Sequence, residues 1–152
     1  MSSSQDHNYY VQIIFDYVIN NYPDKKFYVK SDLKIHDNVE RVAIPNPGQR
    51  PPNNLIKIPD LIAEDRLSHH FTIIGEAKTY GDFRDDLDRV NTQLDYYLNR
   101  LKYKNNGLLI HALPHSLKNV VNNLILKKKE TWNTPLVNHI VLTDLTHTRL
   151  NI

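Results

Sequence analysis

Two short motifs in this chain carry side chains that could do chemistry. Pro59 and Asp60 form the first motif, and Glu76, Ala77 and Lys78 form the second. Mg²⁺ takes oxygen ligands in near-octahedral geometry and binds proteins through one or two carboxylates. Asp60 and Glu76 can supply those carboxylates, and the backbone carbonyl of Ala77 can add a third oxygen. The two motifs together therefore predict a Mg²⁺ or Mn²⁺ site that could act on a phosphodiester bond.

The apolar residues before the second motif predict a buried strand over residues 71–78. Side chains two apart on a strand share a face, so Glu76 and Lys78 are expected to point the same way. The alternative is an ordinary surface ion pair, but burial beside Ile73 and Ile74 would make an unpaired carboxylate costly. Lys78 could orient or activate an attacking water, or stabilise the charge that grows on a phosphate.

The elements that must position these residues follow from hydrophobic periodicity. Apolar residues at helical spacing predict a first helix that ends near Pro23. Strands are predicted over residues 26–33, 39–44, 55–63, 107–113 and 139–142, with a loop over 45–54 and a polar tail. Helices are predicted over residues 84–102 and after residues 114–116. This order predicts an α/β fold with a central mixed β-sheet flanked by helices.

Composition sets the outer bounds. With 152 residues, of which 40% are hydrophobic, the chain suits a single domain over residues 1–152. A net charge of +2 is compatible with a nucleic-acid partner, but this charge alone does not identify the class of partner. The chain has no cysteine, no apolar stretch near the ~20 residues that span a bilayer, and no secretory pattern at its start. We therefore expect a soluble, intracellular, cytoplasmic protein without a membrane partner. Eight histidines show no zinc-ligand spacing.

With these motifs, the chain resembles the PD-(D/E)xK nuclease superfamily, which shares the restriction endonuclease-like fold. Asp60 follows Pro59 as in the first half of that motif, and Glu76, Ala77 and Lys78 match the second half. The resemblance implies an αβββαβ-type core, here with an added helix and strand. It also implies a metal-dependent nuclease in which Asp60, Glu76 and the Ala77 carbonyl bind Mg²⁺ or Mn²⁺.

The helix after the second motif carries further candidates. Gln93 and Tyr97 resemble the Gln-x-x-x-Tyr element of some branches of the superfamily. The resemblance implies that Gln93 is a catalytic residue that approaches the scissile phosphate. Arg89 and Arg100 lie along one side of the same helix and are expected, with Tyr97, to contact nucleic acid. A solvated helix face is the alternative for the two arginines.

Some superfamily members add an acidic metal ligand from the first helix. Asp16 lies in the middle of that helix, at the edge of its apolar stripe, and is the candidate here. Asp37 and Glu40 are rival candidates. An ordinary exposed carboxylate is the alternative interpretation of Asp16.

The resemblance implies a DNA endonuclease of the structure-specific, phage or restriction type. Small single-domain relatives act on branched DNA as homodimers, so a homodimer is an expected state of this chain. Two alternatives stay open. One is a non-catalytic nucleic-acid-binding or assembly protein that kept the fold, and the other is an RNA-cleaving enzyme with the same metal core.

Overall fold

A computed structural model describes residues 3–22, 27–31, 44–45, 56–57, 59–65, 71–85, 87–102, 106–132, 137–145 and 147–150. Helix α1 (Ser3–Asn21) comes first. It is followed by strands β1 (Phe27–Ser31), β2 (Ile44–Pro45), β3 (Ile56–Lys57), β4 (Leu61–Asp65) and β5 (Phe71–Ala77). Helices α2 (Tyr80–Asp85) and α3 (Leu87–Lys102) lead to β6 (Asn106–Leu113). A 3₁₀ turn (His115–Leu117), α4 (Lys118–Trp132), β7 (Val137–Thr143) and β8 (His147–Leu150) follow.

Six strands form one mixed sheet in the order β1-β4-β5-β6-β7-β8. The central strands β5, β6 and β7 run parallel, whereas β4 pairs with β5 and β8 pairs with β7 in antiparallel fashion. Strands β2 and β3 pair with each other separately. The prediction of an α/β fold with a central mixed sheet is confirmed.

Helix α1 packs on one face of the sheet. Val11, Ile14 and Val18 are fully buried there, together with Ile73 of β5. Gly75 allows the close approach of the helix, because a Cβ at this position would lie 2.6 Å from Cγ2 of Ile14. The absence of a side chain at residue 75 therefore sets how near α1 can lie to β5.

Helices α3 and α4 belong to a second apolar layer, whose sheet residues include Ile74 and Leu109. The apolar stripe of α3 is buried at four positions, which are Val90, Leu94, Leu98 and Leu101. Its first member, Leu87, is 47% exposed. Each fully buried leucine contributes about 1.5–3 kcal/mol relative to an exposed one, so this stripe anchors the helix that carries Gln93.

Two element boundaries near the motifs differ from prediction. Asp60 lies in a bend immediately before β4 rather than inside a strand, consistent with Pro59 being unable to donate a ladder hydrogen bond. Between the predicted strand over 71–78 and the predicted helix over 84–102, the chain forms a further helix, α2, which begins at Tyr80. The Asp82 carboxylate accepts hydrogen bonds from the backbone N–H of Thr79 at 2.7 Å and from its hydroxyl at 3.2 Å. This pairing caps the start of α2.

The end of the chain also differs from prediction. Residues 147–150 form strand β8 instead of a polar tail, and they pair with β7 through backbone hydrogen bonds that need no apolar side chains. Pro45, expected to begin a loop, lies in β2. Most of the predicted strand over 39–44 and of the predicted loop over 45–54 lies outside the described residues. Of the described helices, none combines the length and apolar character needed to span a membrane.

Candidate active site

The two motifs meet at the edge of the sheet where β5 and β6 have their carboxyl ends. Leu61 lies opposite Gly75 in the β4–β5 pair, which brings Asp60 next to Glu76 across the two strands. Glu76 is the last residue but one of β5, and Lys78 follows that strand directly. Asp60, Glu76 and Lys78 are each only 4–5% exposed. Three ionisable side chains, one from the first motif and two from the second, are therefore buried together.

Asp60 is held by two contacts, one on each oxygen. The backbone N–H of Ala77 donates a hydrogen bond to Oδ2 at 2.8 Å. On the other oxygen, Nε2 of His7 lies 3.1 Å from Oδ1. The hydrogen bond to Asp60 raises the pKa of His7, so a protonated His7 is favoured beside the carboxylate. Helix α1 thus contributes a histidine to the site.

Lys78 joins the second motif to helix α3. Its Nζ lies 3.4 Å from Oε1 of Glu76. The same ammonium donates a hydrogen bond to Oε1 of Gln93, which is buried at 7% exposure. Because Gln93 lies on the buried side of α3, the helix fixes where the lysine ammonium lies.

The electrostatic environment of Glu76 is unfavourable for its charged form. Burial, with a further contribution from the nearby charge of Asp60, raises the pKa of Glu76 to about 8. Lys78 and the hydroxyl of Tyr97 oppose this shift. Within the described part of the chain, the buried Oε2 of Glu76 has no hydrogen-bond partner of normal geometry. A buried carboxylate with an unpartnered oxygen is a group that a bound cation would stabilise.

The residues at this edge fit Mg²⁺ better than zinc. A search of the described residues finds no group of three or more His, Cys, Asp or Glu side chains suited to a metal ion. Mg²⁺ needs only one or two carboxylates and keeps several waters, whereas structural zinc sites need four protein ligands. Glu76 offers an unpartnered oxygen, and each oxygen of Asp60 retains accepting capacity beside its present contact.

The remaining predicted residues lie in different environments. Tyr97 is fully buried, and burial together with the charge of Glu76 raises its pKa, so the phenol stays protonated. In this position the hydroxyl of Tyr97 favours the charged form of Glu76. The ring is not exposed for a contact with nucleic acid. Arg89 is exposed on α3, and its charge opposes the shift in the pKa of Tyr97. Arg100 is half-buried, with its Nε unpartnered among the described residues.

Asp16 does not reach the site. It is exposed, and its Oδ1 accepts a hydrogen bond from Nε2 of Gln12 at 2.8 Å. Nine residues separate it from His7, which corresponds to about 13 Å along a helix. The rival candidates Asp37 and Glu40 lie outside the described residues.

A buried histidine pair next to Glu76 escaped the sequence analysis. His111 lies opposite Glu76 in the β5–β6 pair, and its Nδ1 is 2.9 Å from Nε2 of His139 in β7. Burial lowers the pKa of His139 to about 3 and that of His111 well below its usual value. Both rings are therefore neutral at ordinary pH. The sequence does contain a signal for the burial of His111. This residue alternates with Leu109 and Leu113 along one face of β6, and both leucines are buried.

Comparison with protein-family models, with curated proteins and with solved structures finds no match for this chain. A fold alone does not define a function, so the geometry and chemistry of the site must carry the functional conclusion.

Proposed function

We propose that this protein is a divalent-metal-dependent nuclease of the PD-(D/E)xK type that hydrolyses phosphodiester bonds in DNA. One observation carries the proposal. Asp60 of the first motif meets Glu76 and Lys78 of the second at one buried edge of the sheet, where Oε2 of Glu76 has no hydrogen-bond partner of normal geometry among the described residues. A purely structural role does not account for two acidic side chains buried side by side, one of which, Glu76, has its pKa raised to about 8.

Asp60, Glu76 and the backbone carbonyl of Ala77 would hold Mg²⁺ or Mn²⁺. When bound, the ion supplies Lewis-acid stabilisation of the charge that develops on the phosphate. His7 keeps the Asp60 carboxylate in place through its contact with Oδ1. Such outer contacts orient a metal-binding side chain and are part of the site.

Lys78 supplies the second positive charge of the proposed mechanism. As a water oxygen bonds to phosphorus and gives up its proton to solvent, the bond from phosphorus to one ester oxygen breaks, and that oxygen takes up a proton and leaves as a hydroxyl group. Negative charge meanwhile accumulates on the two phosphate oxygens that take no part in this exchange. The Lys78 ammonium can donate to one of these oxygens, because its hydrogen bond to Gln93 and its contact with Glu76 fix its position. A donor that is already in place needs no reorganisation as the reaction proceeds, which is the source of its catalytic effect.

DNA is the substrate that we infer, and a homodimer is the proposed state of the chain. The mildly basic sequence, with a pI near 8.7, favours a polyanionic partner. Arg89 is exposed on the helix that also carries Gln93, so it can contact a phosphate that flanks the bond to be cleaved.

The test is incubation of the purified protein with single-stranded, duplex and branched DNA and with RNA, in Mg²⁺, Mn²⁺ or EDTA. We expect cleavage of DNA that requires the metal and is lost in Glu76→Gln. Asp16→Asn is the matched control, because it removes an exposed acidic charge outside the site. Cleavage that survives Glu76→Gln would overturn the site, and tight binding of DNA without cleavage would identify a binding protein instead.

A further inference from the structure

A cleft of about 400 Å³ lies beside the candidate active site. Its lining includes Asp6 and Tyr10 of α1, Thr79 and Tyr80 after the second motif, and Arg84 of α2. Thr79 directly follows Lys78 and Asp6 directly precedes His7, so the cleft adjoins the two segments that carry these residues of the site. Its volume falls within the range of roughly 300–1,000 Å³ that is usual for sites of small molecules.

The charges around the cleft disfavour a phosphate inside it. In the described part of the chain, Asp6 has no hydrogen-bond or ion-pair partner. The guanidinium of Arg84 is already engaged with Asp85, through hydrogen bonds of 2.8 and 3.1 Å. Burial raises the pKa of Tyr10 to about 12, and the negative charges of Asp144 and Asp6 add to the shift. The cleft therefore favours a ligand without negative charge that can donate hydrogen bonds.

Tyr80 gives the cleft an aromatic surface. Its side chain is 55% exposed, and its hydroxyl is hydrogen-bonded to that of Ser116. Because that hydrogen bond ties the end of the ring to the 3₁₀ turn, the ring is held in place although much of its surface faces solvent. A fixed, exposed aromatic ring is a platform on which a base can stack.

We propose that this cleft binds the unstacked base of a nucleotide next to the scissile phosphate, with the base against Tyr80 and its amino group donating to Asp6. The inference rests on the proposed function, because the cleft adjoins the site assigned to phosphodiester cleavage. The predicted preference is for bases that carry an exocyclic amino group over thymine, which carries none. A carboxylate accepts a hydrogen bond from such an amino group but repels a carbonyl oxygen at the same place.

The experiment uses a single-stranded DNA whose cleavage position has been mapped. Each nucleotide that flanks the cut is replaced in turn by 5-methylcytosine or by thymine. These two bases share their shape and methyl group. At C4 one carries the amino group that would donate to Asp6 and the other a carbonyl oxygen, and N3 carries a proton only in thymine. We expect faster cleavage with 5-methylcytosine at one flanking position, by about 5- to 100-fold, and a loss of this preference in Asp6→Asn.

Tyr80→Leu tests the stacking surface. It should slow cleavage with either base by about 5- to 100-fold, whereas Tyr80→Phe keeps the ring and should retain most of the rate. Tyr9→Leu is the matched control, since Tyr9 is also an exposed tyrosine, at 45% exposure, but does not line the cleft. Equal rates with both bases at every flanking position, in a protein that does cleave, would overturn the inference and leave the proposed function standing.

A second measurement separates the two proposals. Binding of short oligonucleotides that differ only in 5-methylcytosine or thymine is followed in EDTA, where no cleavage occurs. A preference for 5-methylcytosine that disappears in Asp6→Asn supports the base site even if no metal-dependent cleavage is found, in which case only the proposed function fails. Absence of any preference in both binding and cleavage overturns the base site.

Discussion

The ammonium of Lys78 lies 3.4 Å from Oε1 of Glu76, and both side chains are buried. Strand alternation explains why two residues at this spacing lie on one face of the sheet. The pair alone does not neutralise the site, because Asp60 brings a second acidic group and raises the pKa of Glu76 further. A divalent cation bound between the two carboxyl groups would remove the repulsion that raises the pKa of Glu76.

Mg²⁺ should stabilise the folded protein through Glu76. We expect thermal unfolding to shift upward as Mg²⁺ is added, with a gain of about 2.7 kcal/mol at 100 times the dissociation constant. Glu76→Gln should lose this gain, because the substitution removes a carboxylate ligand without changing side-chain size. Asp16→Asn is the control and should respond like the wild type. An equal Mg²⁺ response in Glu76→Gln would show that the metal binds elsewhere.

His7 should influence metal affinity through Asp60. Its Nε2 contacts Oδ1 of Asp60 at 3.1 Å, and loss of such a supporting contact typically weakens metal binding by about 10- to 100-fold. Calorimetric titration with Mn²⁺ should show this loss in His7→Ala. His7→Gln can present a donor to the same oxygen and should recover part of the affinity. If both variants bind Mn²⁺ as tightly as the wild type, His7 has no positioning role.

The buried pair of His111 and His139 should make the fold sensitive to acid. The folded pKa of His139 is lowered to about 3, below the ordinary value of 6.5, so the unfolded chain binds more protons between these values. The stability that this residue contributes is therefore fully present well above pH 6.5 and falls as the pH decreases, by about 2.7 kcal/mol near pH 4.5.

Urea unfolding of the wild type and of His139→Asn at several pH values measures this effect. The difference in unfolding free energy between the two proteins isolates the histidine from other titrating groups. As the pH falls from 7.5 to 4.5, we expect the wild type to lose more unfolding free energy than His139→Asn. A difference that is constant over this range would contradict a neutral, buried His139.

Gly75 should be intolerant of a larger residue. A Cβ there would lie 2.6 Å from Cγ2 of Ile14 and 3.3 Å from Cβ of Leu61, so α1 would have to move. We expect Gly75→Ala to lower the unfolding free energy by about 1–3 kcal/mol. Combining it with Ile14→Ala removes the clashing methyl group, so the double variant should lose less stability than the sum of the single ones. If the losses in unfolding free energy of the two single variants add exactly in the double variant, the new Cβ at residue 75 does not clash with Ile14.

The sequence predicted the second motif well because its signals are local. A continuous apolar run marks β5 as buried, and the period of the strand then places Glu76 and Lys78 on one face. Gln93 was predicted from the resemblance to the superfamily, and the structure adds that its side chain is buried on α3. These positions depend on one element at a time.

The residue that α1 contributes to the site depends on how this helix packs against the sheet. The sequence alone therefore indicated Asp16 as the candidate from α1 and did not indicate His7. Ile14 and Val18 face the sheet, and this rotation leaves Asp16 exposed. Which turn of the helix lies beside Asp60 is set by the contact of Ile14 with Gly75, a detail that periodicity does not contain. The pairing of His111 with His139 likewise requires the β6–β7 register.

The most direct test of the central claim is the single-turnover rate of DNA cleavage by Lys78→Met at saturating Mg²⁺. Lys128→Met is the matched control, because Lys128 is also largely buried in an ion pair, with Asp95 at 2.7 Å, but lies away from the motifs. We predict a loss of at least about 100-fold for Lys78→Met, comparable to removal of a transition-state donor, and a near wild-type rate for Lys128→Met. Equal rates for the two folded variants would contradict a catalytic role for Lys78.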